Sequence, residues 1–325
     1  MLAVYVEKPD FENPIAAVKV GDRPLPIVPD GWVRVKVAAA SLNWHDLWTL
    51  RGMGAANGRP EVFPMILGCD GVGTLDDGTP VIIYPVIGNP QWKGDETLDP
   101  AREVLSERYQ GSFAEFVAVP GRNALPLPSG LSLNAASVLG ASWLTAYRML
   151  FTKSGLRPGQ TMLVQGASGG VATALIQLGA AAGMCVWATG RTPEKRALAE
   201  QLGASRTFET GETLPMHVDA VLDTTGAATW EHSLRSVRTG GTVVACGATT
   251  GHIGVSDIAR IFIEQITIRG VFAGTLDEMR DLVSFVLLHR IEPFVGTELP
   301  VMRAVEGLQA MSDGSAVGKI VFTMT

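Results

Sequence analysis

A glycine-rich segment is the part of the sequence whose residue types point most directly to chemistry. Gly166-Ala167-Ser168-Gly169-Gly170-Val171-Ala172 lies between the apolar run 161–165 and the helix-favouring stretch 172–182. Glycines allow a tight turn after a strand and let backbone N–H groups approach a pyrophosphate at the N-terminus of the following helix. This context predicts a dinucleotide-binding turn, with Ala172 standing where a third glycine is commoner.

The end of the next predicted strand, residues 185–189, bears on which nicotinamide cofactor binds. An NAD site places Asp or Glu there to accept the ribose hydroxyls, whereas this chain continues Gly190-Arg191-Thr192-Pro193-Glu194-Lys195. Gly190 leaves room, and the cationic side chains of Arg191 and Lys195 suit a 2′-phosphate. The alternative is that both are solvated surface cations. The missing acid favours NADPH.

The residue pattern changes along the chain, and the two parts together predict an α/β protein. Up to about residue 122, short β-branched runs alternate with Pro and Gly, which indicates an irregular β-rich domain. From about residue 131, apolar strands alternate with helices, which indicates a doubly wound parallel sheet. Its predicted strands are 161–165, 185–189, 220–223, 242–245 and 266–269. We also expect helices at 172–182, 193–202 and 276–289, and a last strand, 318–322, that returns to the first domain.

The composition restricts the class of partner. The 325 residues are 46% hydrophobic and 18% charged, as in globular proteins, and the net charge of −6 argues against a nucleic-acid partner. We find no apolar run of about 18 residues that would span a bilayer, and the N-terminus resembles a strand rather than a secretory signal. Cys69, Cys185 and Cys246 are scattered, so we expect small buried thiols and a cytoplasmic location.

Several short motifs, taken in order, resemble the medium-chain dehydrogenase/reductase superfamily. They are the glycine-rich segment, Leu67-Gly68-Cys69-Asp70-Gly71-Val72-Gly73, Leu144-Thr145-Ala146-Tyr147, Leu202-Gly203-Ala204 and Gly318-Lys319-Ile320-Val321. The chain is most similar to the zinc-independent quinone oxidoreductase branch. The resemblance implies a GroES-like catalytic domain (1–124, completed by 273–325) and a Rossmann-type cofactor domain (125–272). It also implies a cofactor and substrate cleft between the domains, and a homodimer formed through the cofactor domains.

The same resemblance predicts that the chain has no zinc. The catalytic zinc ligands of the alcohol dehydrogenases correspond to Asn43, Cys69 and a position near Gly140, and a catalytic zinc needs about three protein ligands. The lobe that carries structural zinc in some members corresponds to residues 88–111, which contain no cysteine.

Without a metal, reduction suits acceptors that already stabilise negative charge, such as quinones and carbonyl-conjugated alkenes. The protein must then supply a hydrogen-bond donor to the oxygen, and a proton. The resemblance assigns Asn43 to donate to the substrate oxygen or position the carboxamide, and His45 to act as general acid. A structural role is the alternative for His45 and is expected for Asp46. Trp44, Trp48 and Phe272 are candidates for an apolar substrate wall, with core packing as the alternative.

The cofactor-binding residues expected from the motif and the resemblance follow the ends of successive strands. They are Thr145, Gly166, Ala167, Ser168, Gly169, Gly170, Val171, Gly190, Arg191, Lys195, Thr224, Gly226, Gly247, Ala248, Phe272 and Lys319.

We therefore predict an NADPH-dependent reductase of a quinone or an activated alkene. Two alternatives remain from the sequence. One is a zinc-type alcohol or carbonyl dehydrogenase. The other is a non-catalytic NADPH-binding module, which the lack of a tyrosine in residues 51–54 keeps open.

Overall fold

The computed structural model describes residues 1–53 and 62–324. The chain divides into two compact units, one formed by Met1–Ser142 with Thr275–Thr325 and the other by Trp143–Gly274. The sequence-based boundary lay between residues 124 and 125, so residues 125–142 are grouped here with the first unit.

The first unit is built mainly on antiparallel β-structure, with its last two strands paired in parallel. Its strands are β1 (Leu2–Val6), β2 (Val18–Asp22), β3 (Trp32–Ser41), β4 (Met65–Ile66), β5 (Gly71–Leu75), β6 (Pro80–Ile83), β7 (Val86–Ile87), β8 (Glu103–Val104), β9 (Phe116–Pro120), β10 (Ala124–Pro126), β17 (Val295–Pro300) and β18 (Lys319–Thr323). Its helices are α1 (Trp44–Leu50), α2 (Leu133–Ser137), α8 (Leu276–Leu288) and α9 (Ala304–Ser312).

The central sheet of this unit brings the end of the chain to the start of α1. Its order is β10-β6-β5-β3-β18-β17, with β9 also paired to β3. As the sequence predicts, the last strand returns: β18 pairs antiparallel with β3, with Val321 opposite Ser41. The backbone N–H of Leu42 then donates to Ile320 O at 2.9 Å. This register sets Lys319 beside the residues that open α1.

The second unit is a parallel sheet with helices between its strands. The strands are β11 (Thr161–Gln165), β12 (Cys185–Thr189), β13 (Arg206–Phe208), β14 (Val218–Asp223), β15 (Val237–Ala245) and β16 (Thr267–Gly270). The helices are α3 (Leu144–Tyr147), α4 (Gly170–Ala181), α5 (Pro193–Gln201), α6 (Ala227–Ser236) and α7 (Ile258–Ile263).

The strand order of this sheet is β13-β12-β11-β14-β15-β16. The chain adds β12 and β13 on one side of β11 and then crosses to add β14, β15 and β16 on the other side. All five pairings are parallel. Ligands of such sheets bind at the carboxyl ends of the strands, beside the point of reversal. The predicted fold class, a GroES-like unit plus a Rossmann-type parallel sheet, is confirmed.

Apolar strand residues form the core of this second unit. Leu163, Trp187, Val221 and Val243 come from four neighbouring strands and are almost completely buried. Such burial stabilises the sheet by roughly 25 cal/mol per Å² of apolar surface, and it fixes the positions of the strand ends. No helix within the described ranges 1–53 and 62–324 has both the length and the apolar character needed to cross a membrane.

Candidate cofactor site and active site

The glycine-rich turn joins β11 to α4 at the point where the sheet reverses. Gly166 adopts φ 85°, in the left-handed region that favours glycine, and a Cβ built there would stand 2.9 Å from Thr225 Oγ1. The Ala167 N–H donates to Thr189 O at 2.8 Å, which ties the turn to the end of β12. The first N–H groups of a helix have no acceptor within the helix, so the start of α4 at Gly170 can bind an anion.

The predicted turns after β14 and β15 converge on each other. A Cβ on Gly226 would lie 2.8 Å from Ala248 Cα, and one on Gly247 would lie 2.1 Å from Thr224 O. The Thr224 hydroxyl donates to Gln165 O at 2.9 Å, which connects this pair of turns to the end of β11. The residues predicted from three separate strand ends therefore share one edge of the sheet.

The end of β12 presents the cations that the sequence singled out. Arg191 is exposed, and the backbone N–H of Lys195 is capped by the Thr192 hydroxyl at 3.4 Å. Partial burial, and then the charge of Arg191, lower the pKa of Lys195 below the usual lysine range. The two cations repel each other, and a bound anion would offset that repulsion. Anion binding beside Arg191 and Lys195 would therefore be favoured. Arg196, which sequence analysis missed, holds the turn by donating to Gly190 O at 2.9 Å.

A buried polar network supports the strand ends, and sequence analysis missed it too. Gln165 accepts from the Thr189 hydroxyl at 2.6 Å and lies 2.8 Å from His232 Nδ1. It also donates to Ser233 Oγ at 3.1 Å, and that hydroxyl donates to Asp223 Oδ2 at 2.7 Å. The only signal in the sequence was a glutamine closing an otherwise apolar strand.

In the first unit, Asn43 is held at the start of α1 by three neighbours. Its Oδ1 accepts from Lys319 Nζ at 2.6 Å, and its Nδ2 donates to Ser41 O at 2.9 Å and to Cys69 Sγ at 3.5 Å. Lys319 Nζ also donates to Leu42 O at 2.6 Å. Lys319 was predicted from sequence as a cofactor residue, and the structure places its ammonium on Asn43 within the first unit.

Two buried carboxylates surround this group. Asp46 accepts from the N–H groups of Asn43 and Gly68, both at 2.8 Å, and burial raises its pKa to about 6. Asp70 accepts from the Ser41 hydroxyl at 2.8 Å and from Ala141 N at 3.2 Å, and burial raises its pKa as well. Both carboxylates accept hydrogen bonds from backbone groups that shape the site.

His45 is paired with a glutamate of the lobe 88–111. Its Nε2 lies 3.0 Å from Glu107 Oε1, and its Nδ1 lies 3.4 Å from Ser106 Oγ. Ser106 adopts φ 69°, and its carbonyl accepts from the Thr49 hydroxyl at 3.1 Å, so the turn that carries Glu107 is fastened to α1. Burial lowers the pKa of His45, but the hydrogen bond to Glu107 and its charge outweigh burial, and the pKa is raised overall.

Comparison with known proteins identifies the family. The family model for the alcohol dehydrogenase GroES-like domain matches residues 29–129, and the model for zinc-binding dehydrogenases matches residues 170–287. A crystal structure described as an NAD-dependent alcohol dehydrogenase is 30% identical, with a TM-score of 0.93 and complete coverage of both chains. The chain belongs to the medium-chain dehydrogenase/reductase superfamily.

Curated relatives in this superfamily carry different activities. A quinone oxidoreductase of Pongo abelii is 25% identical over 97% of this chain and 96% of its own. An acryloyl-coenzyme A reductase of Sulfurisphaera tokodaii is 26% identical over 89% of this chain and 91% of its own. The predicted superfamily is confirmed, and the chain is an oxidoreductase with the nicotinamide-binding fold of this family.

The metal positions of this superfamily can be tested against the geometry. A Cβ built on Gly140 would stand 2.6 Å from Ile83 O and 2.9 Å from Asp70 Cβ, so a ligand side chain does not fit there without backbone movement. Asn43 already uses its oxygen to accept from Lys319, and burial raises the pKa of the Cys69 thiol well above its usual range. Within residues 1–53 and 62–324, no cluster of three His, Cys, Asp or Glu side chains could hold a metal ion.

Four further predicted residues are half-buried. Thr145 is half-buried on α3, and Phe272 is half-buried two residues after β16. Trp44 and Trp48 are half-buried on α1, so neither is a closed core residue and both keep accessible ring surface.

Proposed function

We propose that the chain is an NADPH-dependent reductase that transfers hydride to a quinone or an alkene conjugated to a carbonyl, without a metal. The arrangement around Asn43 carries the proposal. At the positions of the zinc ligands the chain has an amide held by a lysine, a thiol of raised pKa and a glycine with no room for a side chain. These residues suit hydrogen bonding to an oxygen better than coordination of Zn²⁺.

The second unit fits NADPH. The turn at Gly166 and the start of α4 are shaped for a pyrophosphate, and Arg191 with Lys195 follows β12 where an NAD site would have an acid. When bound, NADPH supplies the hydride. The turns at Thr224, Gly226, Gly247 and Ala248 line the same sheet edge and are proposed to contact the ribose and nicotinamide.

The first unit supplies the polar groups for the acceptor. Hydride addition to the β-carbon of an enone moves an electron pair onto the carbonyl oxygen, and a donor such as the Asn43 amide stabilises that negative charge. The reaction is completed by one proton, which we assign to His45. Its Nε2 lies 3.0 Å from Glu107, whereas its Nδ1 makes the longer contact of 3.4 Å with Ser106, so we assign Nδ1 as the nitrogen from which the proton leaves.

The same proposal includes a homodimer formed through the second unit. β16 is the edge of its sheet, and all four of its residues are exposed. The preceding helix α7 exposes Ile258 (73%), Phe262 (67%) and Ile263 (63%). An unprotected strand edge beside an apolar face favours pairing with a second copy across a two-fold axis.

We expect analytical ultracentrifugation to give twice the mass of the monomer. Phe262→Asp should give the monomer mass, because it would bury a carboxylate in the interface. Leu288→Asp, which changes an exposed apolar residue (78%) on α8 of the first unit, is the matched control. A wild-type monomer, or dissociation by both variants alike, would contradict this interface.

Catalysis is tested by following NADPH absorbance with a simple quinone and, separately, a conjugated enone, on protein whose metal content has been measured. We expect acceptor-dependent NADPH consumption without stoichiometric zinc, and slower consumption of NADH. Stoichiometric zinc with alcohol oxidation would indicate a zinc-type dehydrogenase. Tight NADPH binding with no turnover of any acceptor would indicate a binding module.

A further inference from the structure

Lys319 is a buried cation that the proposed chemistry leaves without a role. Its side chain is 2% exposed, and its ammonium donates to Leu42 O and Asn43 Oδ1, both at 2.6 Å. Burying an ammonium costs free energy unless it is paired or hydrogen-bonded. Burial lowers the pKa of Lys319 below the usual lysine range, and the negative charge of Asp70 opposes that effect. The chain thus keeps a cation next to one particular amide.

The lysine decides which end of that amide is the acceptor. An ammonium has three donors and no acceptor, so the atom of Asn43 that faces it must be the oxygen. The NH₂ group then points the other way, toward Ser41 O and Cys69 Sγ. The Ser41 carbonyl favours the same orientation, because it accepts from the NH₂ group. Without the ammonium, the carboxamide would lose the charge-assisted contact that holds its oxygen.

The amide also interacts with the Asp70 carboxylate, and the two hydrogen bonds of its NH₂ group to Ser41 and Cys69 differ in strength. The bond to Ser41 O is 2.9 Å long, which is typical of N–H···O, whereas the contact with Cys69 Sγ is 3.5 Å and sulfur is a weak acceptor. An oxygen that becomes negative during reduction would compete successfully for the second proton.

We propose that Lys319 is a positioning residue that holds the Asn43 amide with its oxygen toward the ammonium, and that the N–H now directed at Cys69 Sγ is the one that donates a hydrogen bond to the substrate oxygen. The inference rests on the proposed function for its catalytic consequence. Its geometric part, the orientation of Asn43 by Lys319, stands independently.

The geometric part is tested by NMR of protein labelled only at asparagine nitrogen. The chain has six asparagines, and Asn43→Ala identifies the side-chain resonance of Asn43. Lys319→Met should shift that resonance, and so should Cys69→Ala, whereas Lys36→Met, on an exposed residue of β3, should not. An unchanged Asn43 resonance in Lys319→Met would overturn the proposal whether or not the protein reduces enones.

The catalytic part is tested by a double-mutant cycle on the enone reaction. Loss of one oxyanion donor lowers kcat by about 100-fold, and we expect Asn43→Ala to do so with little change in NADPH affinity. Lys319→Met should cost no more than this, and the double variant should be no slower than Asn43→Ala. Losses that multiply would show that Lys319 acts by another route.

Lys319→Arg keeps a cation and should retain more activity than Lys319→Met. If removal of the charge prevents folding, Lys319→Arg is compared with wild type and with Asn43→Ala: the Asn43 resonance should stay near its wild-type position and the rate above that of Asn43→Ala, and an unmoved resonance with a rate as low as that of Asn43→Ala would overturn the proposal. A wild-type protein that reduces neither acceptor defeats the proposed function, while the NMR comparison still decides whether Lys319 orients Asn43.

Discussion

NADPH binding should weaken roughly 100-fold or more when Arg191 is replaced by Glu, while NADH binding changes little. A charge-assisted hydrogen bond contributes about 1.5–3 kcal/mol, and the new carboxylate adds repulsion toward a 2′-phosphate, so the sum corresponds to about two powers of ten in Kd. Arg191 is exposed directly after β12, and Arg196 braces the preceding carbonyl of Gly190, so the substitution should leave the turn in place.

The measurement is titration of both cofactors into wild type and variant, read by calorimetry or by nicotinamide fluorescence. Arg157→Glu makes the same change of charge at another exposed position of the second unit. It therefore controls for the effect of net charge on the binding of an anionic cofactor. Equal losses for NADPH and NADH would show that Arg191 does not contact the 2′-phosphate. NADH is the competing cofactor to exclude, because the 30%-identical crystal structure is described as that of an NAD-dependent enzyme.

Local patterns were sufficient to predict five of the six strands of the second unit, although β13, α6 and α7 were not predicted and β15 begins five residues before its expected start. β11 and β12 begin and end at the predicted residues, and α4 and α5 lie within a residue or two of their expected bounds, as does α8 in the first unit. Apolar strands of five residues and a helix opened by glycines are determined by nearby sequence, because burial and capping act over a few positions. The convergence of the later turns required only the rule that parallel strands end at one edge of the sheet.

The contacts that give the candidate active site its chemistry could not be predicted in this way. Lys319 reaches Asn43 across 276 positions of sequence, and Glu107 reaches His45 across 62. Each pairing depends on strand register or on a turn in the lobe 88–111, and neither leaves a periodic pattern. That lobe was expected only to lack zinc, yet it supplies the carboxylate beside the proposed general acid.

Replacing His45 with Gln should lower the rate of enone reduction at least about 100-fold, the usual contribution of a general acid. The raised pKa of His45 means that its acid form is present below that pKa and is lost as the pH rises through it. The wild-type rate should therefore fall on the alkaline side. Glu107→Gln removes the partner that raises the pKa, so burial dominates and the same fall should occur at lower pH.

The comparison is between pH profiles of kcat and NMR titrations of His45, one of five histidines, in wild type and Glu107→Gln. Glu103→Gln is the matched control, because Glu103 is a buried carboxylate of the same lobe that pairs with Arg108 at 3.0 Å. If the titration of His45 moves and the rate profile does not, the imidazole serves only to join the lobe to α1. If both move together, the proton delivered to the substrate comes from a histidine tuned by a residue 62 positions away. The proton donor would then be defined by the fold of the lobe as much as by the motif at the start of α1.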